Sequence, residues 1–494
     1  MWLVCQIGAR EHYSVARGLQ RAGRLGALVT DFWLPPGAMA GHLPGARRLA
    51  DRFHPDLASA TVHAGNARML GFELLARVQK RQGWQRVLAR NALFQREALK
   101  VLAAYSEHLA RLTPLGTSGR AQRSRPTDLR SPTSVPCPLS PVPCLFSYSY
   151  AALDLFRHAK QRGWQTVLGQ IDPGPGEAAI VRRLRAQHPE WVGPGETSPP
   201  DAYWEQWREE CALADRIVVN SAWSRSLLID AGIEAAKIEV VALAFEEEEV
   251  VGCQLSVVRD CEFEPRRSAQ APQTTDNGQR TTLQSPLRVL WLGQVNVRKG
   301  IQDLAAAAKM LDEAAGRHGF VDAGTKKWNG GGQDARATVD RASCPEPSSA
   351  KSRTHRTTLA RTPVRIDVVG PHGPLPAGLS NNMVFHGAVA RSEVGGWYDQ
   401  ADVFVLPTHS DGFALTQLEA MAHGLPVIAT PCCGDVVEEG VNGWLVPAGD
   451  PQALAERMRW IAENPGALEP MRHAARLTAA KFGLERMVEA LVRS

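Results

Sequence analysis

Two carboxylates and a glycine turn lie close together in PTHSDGFALTQLEAMAHGLPVIAT, residues 407–430. Asp411 falls in the turn after an apolar, strand-like run, and Glu419 falls about one turn inside the helix that should follow. Ligands of open α/β sheets bind at the carboxyl ends of the strands, and the free N–H groups of a helix start suit an anion, above all phosphate. The stretch therefore predicts a phosphate cradle made by the backbone amides of Gly412, Phe413, Ala414 and Leu415.

The two acids need partners other than the phosphate, because like charges repel. Glu419, inside the helix, is better placed to accept hydrogen bonds from hydroxyls such as a ribose diol. Asp411, on the turn, can do the same for a sugar hydroxyl. Together they predict a nucleotide-sugar site. The plainer alternative, an acid near a helix N-cap and one solvated glutamate, stays open for the pair alone.

A second candidate binding segment is WLGQVNVRKGIQDL. It reads as a strand that ends at Gly293, a short loop, and then Arg298 and Lys299 at a helix start. Cations at a helix N-terminus oppose the helix dipole, so another interaction must favour them there. A diphosphate supplies it, because arginine grips two oxygens with its planar fork and lysine adds a point charge. Both side chains would stabilise a departing nucleoside diphosphate. Solvated surface cations are the alternative.

The elements that must position these residues form two series of alternating strands and helices. The first opens with WLVCQI, Gly8, a helix carrying Val15 and Leu19, and a strand near 27–30. A later unit places Ser221 as the N-cap of a helix that Gly232 closes. The second series starts at residue 287. Such alternation predicts doubly wound parallel sheets.

We therefore expect two α/β domains. The first spans residues 1–245, a linker or insertion spans 246–286, the second domain spans 287–475, and a C-terminal helix within 476–494 packs back on the first domain or stays apart. Three stretches lack periodicity and are rich in polar residues, Pro or Gly, namely 113–143, 264–286 and 313–362. Their composition is typical of disordered surface insertions.

Composition excludes several classes of protein. The chain has 494 residues, 44% hydrophobic and 22% charged, with a formal net charge of +5, which is weak evidence for a nucleic-acid partner. Its nine cysteines contain no CxxC pair, so neither a disulfide framework nor a zinc signature is indicated and a reducing cytoplasm is favoured. No stretch approaches the ~18 apolar residues of a membrane span. GxGxxG, GxSxG and HExxH motifs are also missing from the sequence.

Three segments together resemble the retaining glycosyltransferases of family 4. They are GQVNVRKGI, HGAVARSEVGGWYDQADVFVLPTHSDGFALTQLEAMAHGLPVIAT and CCGDVVEEGVNGWLVPAGD. The acid–x7–acid motif of that family falls on Asp411 and Glu419, with Asp where Glu is usual. The resemblance implies the GT-B fold, in which two Rossmann-like domains face each other across a cleft.

The resemblance also assigns roles. It implies that Arg298 and Lys299 bind the donor diphosphate, that Glu419 holds the ribose and that Asp411 contacts the donor sugar. Further donor or acceptor contacts then fall on Gly8 and Ala9 of the first loop and on the backbone of Ala388 and Val389, which would meet the base. Asp172 stands where some relatives have a histidine, so it becomes a candidate for a sugar or acceptor hydroxyl. His12 is a second candidate, with a surface histidine as its alternative.

The expected activity is transfer of a sugar from a nucleoside-diphosphate sugar to a hydroxyl acceptor, with retention at the anomeric carbon. The acceptor is a glycan, a lipid-linked molecule or a small molecule. No metal and no cofactor are expected, because the two cations already neutralise the diphosphate. The protein is expected in the cytoplasm, free or peripheral on the inner face of the membrane. A nucleotide-sugar epimerase of the same fold and a non-catalytic sugar-nucleotide-binding protein are the alternatives.

Overall fold

The computed structural model of the chain describes residues 1–35, 52–112, 142–193, 197–246, 286–316 and 363–493. Within these ranges the first domain contains a seven-stranded parallel sheet with strand order β3-β2-β1-β4-β5-β6-β7. Its strands are β1 Trp2–Gln6, β2 Leu25–Thr30, β3 Val62–Ala64, β4 Cys144–Tyr148, β5 Gln165–Gly169, β6 Arg216–Val219 and β7 Ile238–Val240.

Helices cover both faces of this sheet, so its strands are apolar runs rather than alternating ones. β1 and β4 are buried along their whole length. The helices are α1 Ser14–Arg21, α2 Asn66–Val78, α3 Gly83–Leu112, α4 Leu153–Lys160, α5 Pro175–Gln187, α6 Asp201–Leu213 and α7 Ala222–Asp230. The predicted cap of α7 is confirmed, since the Ser221 side chain accepts a hydrogen bond from the Ser224 amide.

The second domain repeats the same design with a six-stranded parallel sheet of order β10-β9-β8-β11-β12-β13. The strands are β8 Leu287–Leu292, β9 Val364–Val369, β10 Met383–Gly387, β11 Val403–Leu406, β12 Val427–Ala429 and β13 Gly443–Leu445. The helices are α8 Ile301–Gly316, α9 Arg391–Gln400, α10 Leu415–Ala422, α11 Pro451–Glu463, α12 Leu468–Ala479 and α13 Leu484–Arg493. The predicted pair of doubly wound sheets is confirmed.

The last helix, α13, lies against α1 of the first domain. Its buried side chains share a core with Trp2, Val4 and Leu19, and they are Leu484, Met487, Val488 and Leu491. Gly18 of α1 leaves room for this contact, because a Cβ there would lie 2.1 Å from Val488 Cγ2. The chain thus returns to the first domain after completing the second.

Most residues of the three insertions that composition predicts lie outside the described residues. The exceptions are at their edges, where 313–316 continue α8, 142–143 lead into β4 and 286 precedes β8. α8 thus extends a few residues beyond the predicted start of the third insertion.

We expect Leu491→Ala to lower the free energy of unfolding by about 2–5 kcal/mol, because this buried side chain would leave a cavity between α13 and the first sheet. Leu477→Ala on α12 is the matched control, since that leucine is 54% exposed. Urea unfolding of the full chain measures both. Equal losses in the two variants would mean that α13 adds nothing to the core of the first domain.

Candidate functional site

Each sheet has a switch point, where the chain changes the direction in which it adds strands. In the second sheet this point lies between β8 and β11, which are neighbours in the sheet although they are distant in sequence. Connections that leave β8 and β11 run to opposite sides of the sheet, so a crevice opens at their carboxyl ends. The residues predicted to bind a diphosphate and a sugar follow these two strands directly.

The loop after β8 carries the cations. Gly293 ends the strand, and the Asn296 side chain caps the short 3-10 turn Val297–Lys299 by accepting from the Lys299 amide at 3.1 Å. Gly300 then adopts φ +73° and leads into α8, with its Cα packed on the next loop. A Cβ on Gly300 would lie 1.8 Å from the carbonyl oxygen of Pro407, so only glycine permits this approach.

The loop after β11 is hydrogen-bonded to the loop after β8 and holds it in place. The Thr408 hydroxyl and the His409 amide both donate to the carbonyl oxygen of Arg298, each at 2.9 Å. The Arg298 guanidinium in turn donates to the carbonyl oxygen of Ser410 at 2.8 Å. These hydrogen bonds therefore fix both the backbone position of Arg298 and the direction of its side chain.

Asp411 offsets part of the charge of the two cations. Its carboxylate forms an ion pair with Lys299 and lies 3.6 Å from Arg298 Nη1. Burial opposes ionisation of this carboxyl, but the charges of Lys299 and Arg298 outweigh burial and lower its pKa. Asp411 is therefore a stable anion that shares its charge with both cations.

The turn predicted to cradle a phosphate also carries Asp411. The backbone amide of Phe413 helps to lower the pKa of the Asp411 carboxyl. The assignment of the four amides to a phosphate stays a prediction. The remaining amides of the cradle, at Gly412, Ala414 and Leu415, lie in the same turn before and at the start of α10.

Glu419 lies in α10 and faces α9. Its Oε2 accepts a hydrogen bond from the hydroxyl of Tyr398 at 2.8 Å, and this tyrosine is 1% exposed. Within the described part of the chain, no partner of Oε1 is found. A buried tyrosine thus fixes the carboxylate and leaves one oxygen available for a hydroxyl.

The segment assigned to the base lies farther along the same edge. Ala388 and Val389 follow β10, two strands from β8, which corresponds to about 10 Å along the sheet. Glycines bring the strand ends close together, because the Gly370 amide donates to the carbonyl oxygen of Gly387 at 2.8 Å. The segments assigned to the phosphate and to the base therefore lie at the same edge of the sheet.

The loops of the first domain face this edge. Gly412 packs on the carbonyl oxygen of Ile171, which would lie 3.3 Å from a Cβ at that glycine. Asp435 accepts a hydrogen bond from the Ala222 amide at the start of α7 at 3.1 Å. The carboxyl ends of β5 and β6 thus meet the carboxyl end of β11.

The structure places the remaining candidates of the first domain at the same face. Gly8 follows β1 and donates its amide to Asp31 at 2.9 Å, and Ala9 comes next. His12 contacts Arg391 of the second domain, with 2.9 Å between Nε2 and Nη1. Asp172 is held inside its own loop, where its Oδ1 accepts from the Tyr150 hydroxyl at 2.6 Å and from the Gly174 amide at 2.8 Å. One oxygen of Asp172 therefore organises the loop after β5.

Sequence reasoning missed three residues of the contact around Arg298, which are Glu177 and Trp223 of the first domain and Ser410 of the second. Glu177 on α5 accepts from the Ser410 hydroxyl at 2.9 Å and lies 3.6 Å from Arg298 Nη1. Trp223 on α7 donates its indole N–H to the Ser410 hydroxyl at 3.1 Å. No sequence signal singles out Glu177, because an acid in the first turn of a helix is ordinary dipole matching.

Among the described residues, no group of three or more His, Cys, Asp or Glu side chains is arranged to hold a metal ion. None of the helices in the described ranges is long and apolar enough to cross a membrane.

Comparison of structures identifies the class of fold. The chain aligns over its whole length with 98% of sucrose-phosphate synthase from Thermosynechococcus elongatus, with a TM-score of 0.52 and 15% sequence identity. Two Rossmann-like domains that face each other across the carboxyl ends of their strands define GT-B, and the fold predicted from the sequence is confirmed.

Comparison of sequences narrows the class. Residues 353–464, a stretch that contains β9–β13 and α11, match the family model described as glycosyl transferases group 1. D-inositol 3-phosphate glycosyltransferase of Streptomyces griseus subsp. griseus is 35% identical over 108 residues, which are 22% of this chain and 23% of that protein. The second domain thus carries a glycosyl transferases group 1 region, and the resemblance seen in the sequence is confirmed there.

A relative from Catenulispora acidiphila, D-inositol 3-phosphate glycosyltransferase 1, is 32% identical over 148 residues. The match covers 27% of this chain and 35% of that relative. The chain therefore aligns with about a quarter to a third of the length of these curated relatives.

We expect Gly300→Ala to lower the free energy of unfolding by at least ~1–3 kcal/mol, because a side chain at positive φ is strained and its Cβ overlaps the Pro407 carbonyl. Gly373→Ala is the matched control, since nothing lies within 4 Å of a Cβ there. Urea unfolding compares the two variants. A Gly300→Ala protein as stable as the control would contradict the close contact between the two loops.

Proposed function

We propose that the chain transfers a sugar from a nucleoside-diphosphate sugar to a hydroxyl acceptor, with retention at the anomeric carbon. The observation that carries the proposal is the cluster at the switch point of the second sheet. Arg298, Lys299 and Asp411 meet where β8 and β11 end, and Glu419 presents a fixed carboxylate from α10, the helix that follows β11. We assign the cations to the diphosphate, the carboxylate to the ribose and the backbone after β10 to the base.

The chemistry follows from the charges. The bond between the anomeric carbon and the phosphate oxygen breaks, and the leaving nucleoside diphosphate gains negative charge. Arg298 and Lys299 stabilise this charge where it develops, which is the largest contribution that a fixed site can make. The acceptor oxygen bonds to the anomeric carbon on the same face, and a phosphate oxygen of the leaving group takes the acceptor proton. The retention of configuration in this proposal rests on the family resemblance.

The regions assigned to the acceptor are the loops of the first domain. Gly8, His12 and Asp172 lie at the carboxyl ends of strands that face the second domain. A hydroxyl bound there would approach the anomeric carbon from the first domain, on the face from which the diphosphate leaves. We propose a glycan, lipid-linked or small-molecule acceptor for this side and no metal ion.

A transfer assay tests the proposal as a whole. Uridine, guanosine and adenosine diphosphate sugars are first screened by thermal shift, since a ligand at about 100 times its dissociation constant adds roughly 2.7 kcal/mol to stability. Hydrolysis or transfer with each binder is then followed by release of the nucleoside diphosphate, and NMR of the product reports the anomeric configuration. Binding without turnover in the presence of acceptors would favour a sugar-nucleotide-binding protein instead.

We expect Arg298→Ala to weaken binding of the free nucleoside diphosphate by about tenfold to a hundredfold, the usual effect of a lost charge-assisted hydrogen bond. Arg298→Lys should lose less, because the charge remains and only the fork geometry is removed. Calorimetry with the free diphosphate measures both. Unchanged affinity in Arg298→Ala would show that the cation is a purely structural charge.

Asp411→Asn and Glu419→Gln should differ in their effects. Glu419→Gln is expected to weaken both the free diphosphate and the sugar donor about tenfold or more, because the ribose is common to both. Asp411→Asn is expected to spare the free diphosphate, since it also releases Lys299 from its ion pair, and to lower turnover of the donor. Calorimetry with each ligand and a turnover assay separate the roles. Equal losses for both ligands in both variants would mean that the acids only hold the loop together.

A further inference from the structure

Glu177 places a third carboxylate against the cation cluster, and it comes from the opposite domain. It lies in the first turn of α5, where its Oε2 accepts from the Ser410 hydroxyl at 2.9 Å and lies 3.6 Å from Arg298 Nη1. Its side chain is 16% exposed. Neither the sequence motifs nor the roles proposed above use this residue.

The surroundings of Glu177 fix its position. Ser410 is itself held by the indole N–H of Trp223, which donates to the same hydroxyl at 3.1 Å. The charged groups that face the Glu177 carboxylate are Arg298 and Asp411 of the second domain and Asp172 of the loop before α5. The other cation, Lys299, follows Arg298 in the sequence and is paired with Asp411. Among the residues that the structure describes, the only cation that contacts the carboxylate is Arg298, the arginine assigned to the diphosphate.

The balance of charge in this cluster leaves no excess for a ligand. Arg298 and Lys299 carry two positive charges, and ionised Asp411 and Glu177 carry two negative ones. A diphosphate that binds here adds negative charge to a partly buried site, where repulsion is screened less than in water. Binding is favoured if one of the two carboxylates gives up its charge.

The two carboxylates differ in how readily they take a proton. The cations lower the pKa of Asp411, as described above. Burial raises the pKa of Glu177 to about 7, against the opposing effect of Arg298 and with a further contribution from Asp172. A diphosphate brought beside Glu177 raises its affinity for a proton further.

We propose that Glu177 is a positioning residue whose carboxylate occupies the place of a donor phosphate oxygen beside Arg298. When the diphosphate binds, Glu177 takes up a proton and leaves that place to the phosphate. The inference rests on the proposed function, since it deepens the role of the same site. Binding of the nucleoside diphosphate then takes up a proton, and release of the product returns that proton. The neutral acid keeps an O–H that donates to a phosphate oxygen, so the side chain changes from a competitor into a ligand.

The direction of the pH effect follows from this exchange. Below the pKa of Glu177 the carboxyl is already neutral, so binding has no proton to take up and affinity is highest. Above it each further pH unit costs up to about tenfold in affinity, because one proton must be bound with the ligand. The free diphosphate also titrates, with a pKa of roughly 6 for its terminal phosphate. Comparison with a variant that lacks the carboxylate removes that contribution.

The test uses the full chain and the nucleoside diphosphate that binds most tightly among those of uridine, guanosine and adenosine. Calorimetry at about pH 7 and about pH 8.5 should show that the wild-type affinity falls about tenfold more than that of Glu177→Gln. At the higher pH, titrations in two buffers of different ionisation enthalpy should show proton uptake by the wild type and none by Glu177→Gln. The matched control is Asp435→Asn, which removes another carboxylate that bridges the domains but lies on the Ala222 amide. Asp435→Asn should show the same pH dependence of affinity and the same proton uptake as the wild type.

The outcomes separate the two claims. Diphosphate binding with the same pH dependence and proton uptake in wild type and Glu177→Gln overturns the role of Glu177 and leaves the proposed function standing. Weaker binding by Glu177→Gln at both pH values also overturns it, because the carboxylate would then only hold the domains together. If none of the three nucleoside diphosphates binds to any variant, the proposed function fails, and the inference fails with it.

Discussion

The site depends on one constraint, which is that two cations are held between two domains and must be neutralised. Arg298 and Lys299 stand near the start of α8, where the helix dipole disfavours them. Their side chains are 27% and 17% exposed, so water compensates only part of their charge. In the absence of a ligand the chain supplies the compensation itself, through Asp411 from the next loop and Glu177 from the other domain. We propose that an anionic ligand takes the same positions when it replaces these carboxylates.

Backbone contacts give this cluster its rigidity. The loops after β8 and β11 are joined by the hydrogen bonds of Thr408 and His409 to the Arg298 carbonyl and by the close approach of Gly300 to Pro407. Because the cations and their partner carboxylate sit on two loops that cannot separate, the charge cluster has a fixed shape. A fixed arrangement of charge is what stabilises a leaving group without reorganisation at the moment of reaction.

The contact between the domains adds a second level of control. Glu177, Trp223 and Ser410 form a chain of hydrogen bonds that ends beside Arg298. α13 ties the end of the chain to α1, so the second domain is connected to the first at both its beginning and its end. The cation cluster is therefore in contact with groups of the first domain, even though the cations and the pair of acids all belong to the second.

The sequence by itself determined the two doubly wound sheets and the loops that carry the cations and the two acids, because strand periodicity, glycine punctuation and helix caps are local. Ser221 as a cap and Gly293 at a strand end are read from neighbouring residues alone. The tertiary structure alone decided which charges meet. Asp411 pairs with Lys299, Tyr398 orients Glu419, and Glu177 reaches Arg298 from another domain. Such pairings depend on how two sheet edges face each other, and an acid in the first turn of a helix has the same local pattern whether it faces water or a buried arginine.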